Sequence, residues 1–321
     1  MEHSSKHKLV SIIIPCFNEE ENINRTFDGL LELAENHEYD FEIIAIDDGS
    51  KDKTWDVIKK YAKKHDEIKG VNQMTNYGQT AAYMAGFNHS TGDYVITVSA
   101  DLEIPLSSVN KVIDYLDEGY DFVNTNRVGR WGGSKAAKSG MANKLIAKIS
   151  KVEVQDRGSG VKGFTKNLLS HVRLYGEMHR FIPDYVQLYG AKMIEFDVDF
   201  KDRDFGKSAY VGHKRTIKVI LDLFTLAFLL YFAKKPFYAM PGRIFSFAGG
   251  VIAGLGGLGS LYLLVLKLLG NDIGGRPLFI VSILMLVMGI QSIMMGMLGE
   301  LLVRIYFESG DREIYAVREI A

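Results

Sequence analysis

Residues 76–105 read NYGQTAAYMAGFNHSTGDYVITVSADLEIP. Gly78 precedes Gln79–Phe87, a run of small and apolar residues that predicts a helix start. Past a turn rich in Ser, Thr and Gly, Tyr94–Val98 (YVITV) is a β-branched run, the mark of a buried strand. It ends in Ser99-Ala100-Asp101, with Glu103 two residues on. The same pattern recurs upstream. Val10–Ile14 reads as a strand closed by Pro15, and Phe41–Ile46 as a second one running into Asp47-Asp48-Gly49-Ser50. Between them, Glu19–Asn36 has helical spacing, with Ile23, Phe27, Leu30, Leu31 and Leu33 on one stripe. Lys53–Lys64 is again helical and Ile68–Met74 a weak strand. Strands alternating with helices at this spacing predict an α/β fold with a mostly parallel sheet covered on both faces. Ligands bind such sheets beyond the C-terminal strand ends. The polar clusters Asn18-Glu19, Asp47-Asp48 and Asp101-x-Glu103 fall at those ends.

No G-x-G-x-x-G follows the first strand, and G-x-x-x-x-G-K-[ST] does not occur. Dinucleotide and P-loop chemistry are therefore disfavoured. A nucleotide site here must use carboxylates and a metal. Two carboxylates two residues apart at a strand end can share one hard cation, which in turn binds phosphate oxygens. Alone, D-x-E reads as a solvated turn; its place after an apolar strand, with Asp47-Asp48 after another, favours a site. The acids of Asn18-Glu19-Glu20-Glu21 have a plain reading too, as complements to a helix dipole.

The chain has 321 residues, with 38 Lys+Arg, 39 Asp+Glu and one cysteine. A lone Cys16 excludes a disulfide framework and a Cys-rich zinc module. The charge is unevenly placed. Ile244–Leu266 and Leu278–Gly299 hold no Asp, Glu, Lys or Arg. Each is long enough to cross a bilayer, which takes about 20 apolar residues. The short link Lys267–Pro277 predicts a helical hairpin. Lys234, Lys235 and Arg243 precede it, Arg304 and Arg312 follow it, and the link holds Lys267 and Arg276. That bias predicts both termini and the large domain in the cytoplasm. MEHSSKHKLVSIIIP lacks the long apolar region of a signal peptide. In the first span Gly250 and Gly254 have G-x-x-x-G spacing, which permits close contact with the second span or with another copy in a homo-oligomer. Gln291 reads as an interhelical hydrogen-bonding group.

Residues 122–152 carry seven Lys/Arg and no acid, and residues 200–243 nine Lys/Arg against three Asp. Blocks this one-sided beside a membrane anchor predict contact with anionic headgroups. The anchor and the acidic remainder argue against nucleic acid. Thr216–Phe232 (TIKVILDLFTLAFLLYF) reads as an amphipathic interfacial helix rather than a third span, because of its internal Asp222. The expected organisation is a domain over 1–212, juxtamembrane helices over 213–243, spans at 244–266 and 278–299, and a tail over 300–321.

IIIPCFNEEENI (12–23), IDDGSKDKT (46–54), residues 76–105 and GVKGF (160–164) resemble family 2 glycosyltransferases of the GT-A fold, and more narrowly the dolichyl- and polyprenyl-phosphate sugar synthases. IGGRP (273–277), GMLGE (296–300) and IYAVRE (314–319) resemble the membrane-anchored branch. The resemblance implies a nucleotide-sugar donor, a polyprenyl or dolichyl phosphate acceptor, a lipid bilayer, and Mg²⁺ or Mn²⁺. It assigns Pro15, Phe17, Asn18 and Glu19 to the nucleotide edge, Asp47 to the base with Asp48 beside it, and Gln79 to the flanking loop. Asp101 matches the second Asp of a D-x-D metal motif and Glu103 the next ligand position. Asp156 matches the acid ahead of an S-G-F segment, and Arg203 and Lys207 an R-x-x-G-x-S element over the diphosphate. Arg127, Lys135 and Ser139 match acceptor-phosphate contacts. The first Asp of the metal motif is Ser99 here, and S-G-F departs to Ser159-Gly160-Val161-Lys162. The implied reaction is displacement by an already anionic phosphate oxygen, inverting the anomeric carbon. A sugar-to-sugar transferase of the same fold and a degenerate nucleotide-sugar-binding scaffold remain the alternatives; the former would want a Q-x-x-R-W-type motif, and Trp55 and Trp131 are the only tryptophans.

Overall fold

A computed structural model of the chain describes residues 8–129, 152, 154–174, 176, 178–201, 241–308 and 317–320. The chain forms two compact units, one from residues 1–230 with 313–321 and one from 231–312.

The first unit is built on an eight-stranded sheet. Its strands are β1 (Leu9–Cys16), β2 (Asp40–Asp47), β3 (Ile68–Gln73), β4 (Tyr94–Thr97), β5 (Phe122–Val128), β6 (Lys162–Thr165), β7 (Met193–Asp199) and β8 (Val317–Ile320). The order across the sheet is β7-β5-β6-β4-β1-β2-β3-β8. β4, β1, β2 and β3 run parallel, as do β5 and β7, while β6 and β8 are antiparallel to their neighbours. The helices are α1 (Ile23–Glu35), α2 (Thr54–Ala62), α3 (Gln79–His89), α4 (Ser108–Asp117), α5 (Lys166–His171) and α6 (Ile182–Val186); a 3-10 turn, Met178–Phe181, leads into α6.

The β-branched runs form the strands because both faces of the sheet are covered. Ile12, Ile14, Ile43 and Ala45 face one apolar cluster with Phe27, Leu30 and Ile58. Ile13, Ile44, Ile46 and Val71 face the other, with Ala81, Ala82, Ala85 and Phe87 of α3. Register carries the polar strand ends to one level, since Cys16 pairs with Asp47 and Asp47 with Asn72. The expected first helix begins four residues later than its spacing suggests. Glu19 instead closes a turn, its carbonyl accepting the N–H groups of Asn22 and Ile23 at 3.0 Å each.

The second unit is a pair of helices, α7 (Pro241–Leu268) and α8 (Pro277–Glu308). Gly270, at φ +84°, follows α7 in the left-handed conformation that stops a helix. Pro277 opens α8, where its missing N–H costs nothing. Ile244–Leu268 and Pro277–Gly299 are long and apolar enough to cross a membrane. They meet through small residues: a Cβ on Gly256 would lie 2.7 Å from Leu286 N, and one on Gly249 2.6 Å from Gly289 O. The expected G-x-x-x-G pair is not this seam, for Gly250 and Gly254 meet nothing within 4 Å. The expected interfacial helix at 216–232 lies outside the described residues.

Candidate active site

The site lies where β1, β2, β4 and β5 end. Pro15 stands near the end of β1, and Phe17 just beyond it leads to Asn18, at φ +56°. Asparagine tolerates that conformation better than most residues. Its N–H donates to Ser50 Oγ at 2.9 Å, and its Oδ1 accepts from Lys51 N at 2.9 Å. Glu19 N donates to Thr54 Oγ1 at 2.8 Å, and Glu19 Oε2 accepts from Asn22 Nδ2 at 2.7 Å. The loops after β1 and β2 are thus laced together.

Asp47 is buried, and its Oδ1 accepts from Ser50 N at 3.1 Å. Asp48 N donates to Cys16 O at 2.8 Å. The Asp48 carboxylate accepts from the backbone N–H groups of Tyr77 at 2.7 Å and Gly78 at 3.0 Å. It therefore shapes the loop that begins α3. Burial pushes its pKa up to about 6 and Asp47 adds to the rise, against the two N–H donors. Gly78, at φ +90°, admits the turn that starts α3 with Gln79. Gln79 Nε2 donates to Tyr83 OH at 3.1 Å. That buried hydroxyl also feels the charges of Arg127 and Asp101, so it links the α3 side to the acidic side.

On the acidic side, Thr26 Oγ1 donates to Ala100 O at 2.7 Å. Asp101 follows, and then Leu102 at φ +52°, a left-handed backbone that an apolar residue seldom holds away from functional sites. Glu103 N donates to Asp101 Oδ1 at 3.4 Å. Arg127, in β5, is buried between two acids. Its Nη1 lies 3.1 Å from Glu103 Oε2. Its Nε and Nη2 reach Asp156 Oδ2 and Oδ1 at 2.6 and 3.0 Å, a bidentate fork. Below them, Lys162 is buried with its Nζ donating to Ser159 O. Burial, helped by Arg127 and opposed by Asp156 and Glu195, brings its pKa down to about 7.

The structure thus gathers Pro15, Phe17, Asn18, Glu19, Asp47, Asp48 and Gln79 around the first two loops and α3, and Asp101, Glu103, Arg127 and Asp156 around the β4 and β5 ends. Arg127, expected as an acceptor-phosphate contact, has its guanidinium on Glu103 and Asp156. Lys135, Ser139, Arg203 and Lys207 lie outside the described residues. The sequence reading passed over Tyr83 and Lys162, whose apolar or buried settings hide them from motif analysis.

Asp101 carries the donor chemistry for a hard divalent cation. Mg²⁺ takes one or two carboxylates together with substrate phosphate oxygens. Ser99 is packed against Gly160, where no Cβ would fit, and Thr97 Oγ1 donates to Gly160 O at 2.9 Å. A single committed carboxylate, a neighbouring hydroxyl and a Glu103 shared with Arg127 fit a cation held jointly with a bound diphosphate.

Residues 11–172 match the family described as glycosyl transferase family 2. Over its full length the chain is similar to the undecaprenyl-phosphate 4-deoxy-4-formamido-L-arabinose transferase of Shewanella sediminis, at 33% identity over 100% of this chain and 95% of that one. It is also 33% identical to the dodecaprenyl-phosphate galacturonate synthase of Rhizobium johnstonii, over 97% of this chain and 92% of that one. Among solved structures it is similar to glucosyl-3-phosphoglycerate synthase from Mycobacterium tuberculosis, in complex with Mn²⁺, UDP-glucose and phosphoglyceric acid, with a TM-score of 0.51, 16% identity, and coverage of 68% of this chain and 80% of that one. Mannosyl-3-phosphoglycerate synthase from Rubrobacter xylanophilus gives a TM-score of 0.55 at 15% identity, covering 68% and 73%. Likeness at that identity establishes the fold, GT-A, as expected.

Proposed function

The chain belongs to glycosyl transferase family 2, and from that premise we propose that it moves a sugar from a nucleoside diphosphate sugar to a polyprenyl phosphate at a cytoplasmic membrane face. The observation that carries this reading is similarity along the whole chain, apolar helices included, to enzymes named for sugar transfer on undecaprenyl and dodecaprenyl phosphate. The basic blocks at 122–152 and 200–243 support an anionic lipid acceptor.

Asp47 and the loops at Asn18–Glu19 and Gln79 hold the nucleotide, with Asp48 fixing the last of these through Tyr77 and Gly78. Asp101 would hold Mg²⁺ or Mn²⁺ together with the donor diphosphate, with Ser99 near enough in sequence to bind a water of that shell. When bound, the cation supplies positive charge to the leaving nucleoside diphosphate. Arg203 and Lys207 add charge to the same group. Lys135 and Ser139, one helical turn apart in sequence, hold the acceptor phosphate. Arg127 is given a different role from that resemblance: it holds Glu103 and Asp156 at fixed separation. Asp156 then orients the sugar or the acceptor. The attacking phosphate oxygen is already anionic, so no strong base is required. Displacement at the anomeric carbon inverts it.

Asp101→Asn is expected to abolish transfer while the protein stays folded. The assay is label transfer from nucleotide sugars to polyprenyl phosphate, with Mg²⁺ or Mn²⁺. Retained turnover in the variant overturns the Asp101 assignment. Retained nucleotide binding without transfer in the wild-type protein would overturn this reading in favour of a binding scaffold.

A further inference from the structure

Asp156 and Arg157 are neighbours with different partners. Asp156 faces Arg127. Arg157 turns into the protein, 4% exposed, and meets Asp184 of α6, which is fully buried. The pair is bidentate, with Nε to Oδ2 at 2.8 Å and Nη2 to Oδ1 at 2.9 Å. The same guanidinium donates to two backbone carbonyls just upstream, Nη1 to Val154 O at 2.7 Å and Nη2 to Val152 O at 3.0 Å. Residues 154–161 lie outside helix and strand, so their backbone groups need partners other than a helix or sheet ladder. Glu195 takes the N–H groups of Gln155 and Asp156 at 2.8 and 3.2 Å, and Asn124 Nδ2 donates to Asp156 O at 3.0 Å. Thr97 and Lys162 take the carbonyls of Gly160 and Ser159 farther on, and Arg157 takes those at the upstream end. Just ahead of α6, in the 3-10 turn, His179 Nδ1 lies 2.9 Å from Thr80 Oγ1 at the start of α3. The segment 178–186 therefore touches both sides of the site without carrying any of its motif residues.

We propose that Asp184 is a positioning residue: by orienting the Arg157 fork it fixes the carbonyls of Val152 and Val154, and so presents the Asp156 carboxylate to Arg127. This rests on the role given to Asp156 above. A buried ion pair kept only for stability can be replaced by apolar groups of like volume at little cost. This one also serves two backbone acceptors with a geometry that only a planar fork supplies.

The test uses the full chain in lipid nanodiscs and two variants that keep the charges, Arg157→Lys and Asp184→Glu. Removing one charge outright would leave the other buried and unpaired, which threatens folding. Each variant is expected to lose about 10- to 100-fold in kcat, the scale of a roughly 1 Å misplacement. The donor KM should move less than about twofold, because the nucleotide loops are untouched. Amide hydrogen exchange over residues 154–160 should quicken, while that of β1 and β2 does not. Should Arg157→Lys fail to fold, Asp184→Glu decides by the same measurements. Unchanged exchange at 154–160 in the folded variants overturns the proposal. So does a loss of kcat that only follows the folded fraction. Asp156→Asn separates the two readings. Wild-type kcat in that variant defeats the role of Asp156 in transfer, while the exchange measurement still reports whether Asp184 holds the segment.

Discussion

Asp48 holds a charge in a place that resists it. Burial raises its pKa from 3.8 to about 6, yet both of its oxygens accept N–H groups from the loop before α3. Protonation turns one acceptor into a donor and loosens that loop. The donor KM is therefore expected to rise as pH falls through about 6. Asp48→Asn should raise KM and remove this step from the KM–pH profile. Stability has the opposite sense. The folded chain binds this proton more tightly than the unfolded chain, so the contribution of Asp48 to stability falls as pH rises from about 4 to about 6 and is level above. A KM profile flat across pH 5–7 in the wild-type protein would remove Asp48 as the gate of the loop. At this scale the sequence showed much of the site. Asp47, Asp48 and Asp101 stand where apolar runs stop, and that position is visible without coordinates. The partners of Arg127 were not visible, because Glu103 and Asp156 lie 24 and 29 positions away and meet it only across the sheet. Arg157 and Asp184 were hidden for the same reason.

Among the elements, α3 shows how a helix can defeat periodicity. Thr80–Phe87 are all buried, so no polar face marks its orientation. What the sequence does show is small residues: Ala81, Ala82, Ala85 and Gly86 let the helix lie close on the sheet. A Cβ on Gly86 would collide with Ile13 Cγ2 and stand 3.2 Å from its Cδ1. Gly86→Ala would ordinarily gain about 1 kcal/mol from helix propensity. Here overpacking is expected to outweigh that, with a net loss of about 1–3 kcal/mol in denaturant unfolding of the domain. Ile13→Val in the same chain should recover part of the loss by shortening the side chain that is struck. A Gly86→Ala protein as stable as wild type would mean that α3 stands farther from β1 than described. The strands β1, β2 and β4 were legible as continuous β-branched runs. β6 was seen only through GVKGF, and β8 not at all, since VREI is short and polar and becomes a strand by pairing with β3.

β8 constrains the whole molecule. The chain leaves the sheet after β7, passes through α7 and α8, and returns to pair residues 317–320 with the edge strand β3. Glu319 Oε2 accepts from Trp55 Nε1 at 3.1 Å in α2, so the return is pinned by a side chain as well as by backbone. A strand cannot pair with β3 from across a bilayer. In a chain anchored as proposed, the number of crossings between Asp199 and Val317 must then be even, and α7 with α8, each long and apolar enough to cross, would supply two. A third crossing would leave β8 on the wrong side, which bears on the choice raised by 216–232. The helix pair supports the same count, since Gly249, Gly256 and Gly289 bring α7 and α8 into backbone contact as a hairpin. Under the proposed topology, Lys/Arg bias sets the direction, and the expectation is a link outside and a domain in the cytoplasm. The native Cys16 is buried, so introduced cysteines report alone. Asn271→Cys, in the link, is expected to react with a membrane-impermeant maleimide on intact cells. Lys64→Cys, exposed at the end of α2, is expected to react only after lysis. Labelling of Lys64→Cys alone from outside would keep the even count and reverse the orientation. Labelling of both, or of neither, would deny that the hairpin crosses, because the link would then share a compartment with the domain.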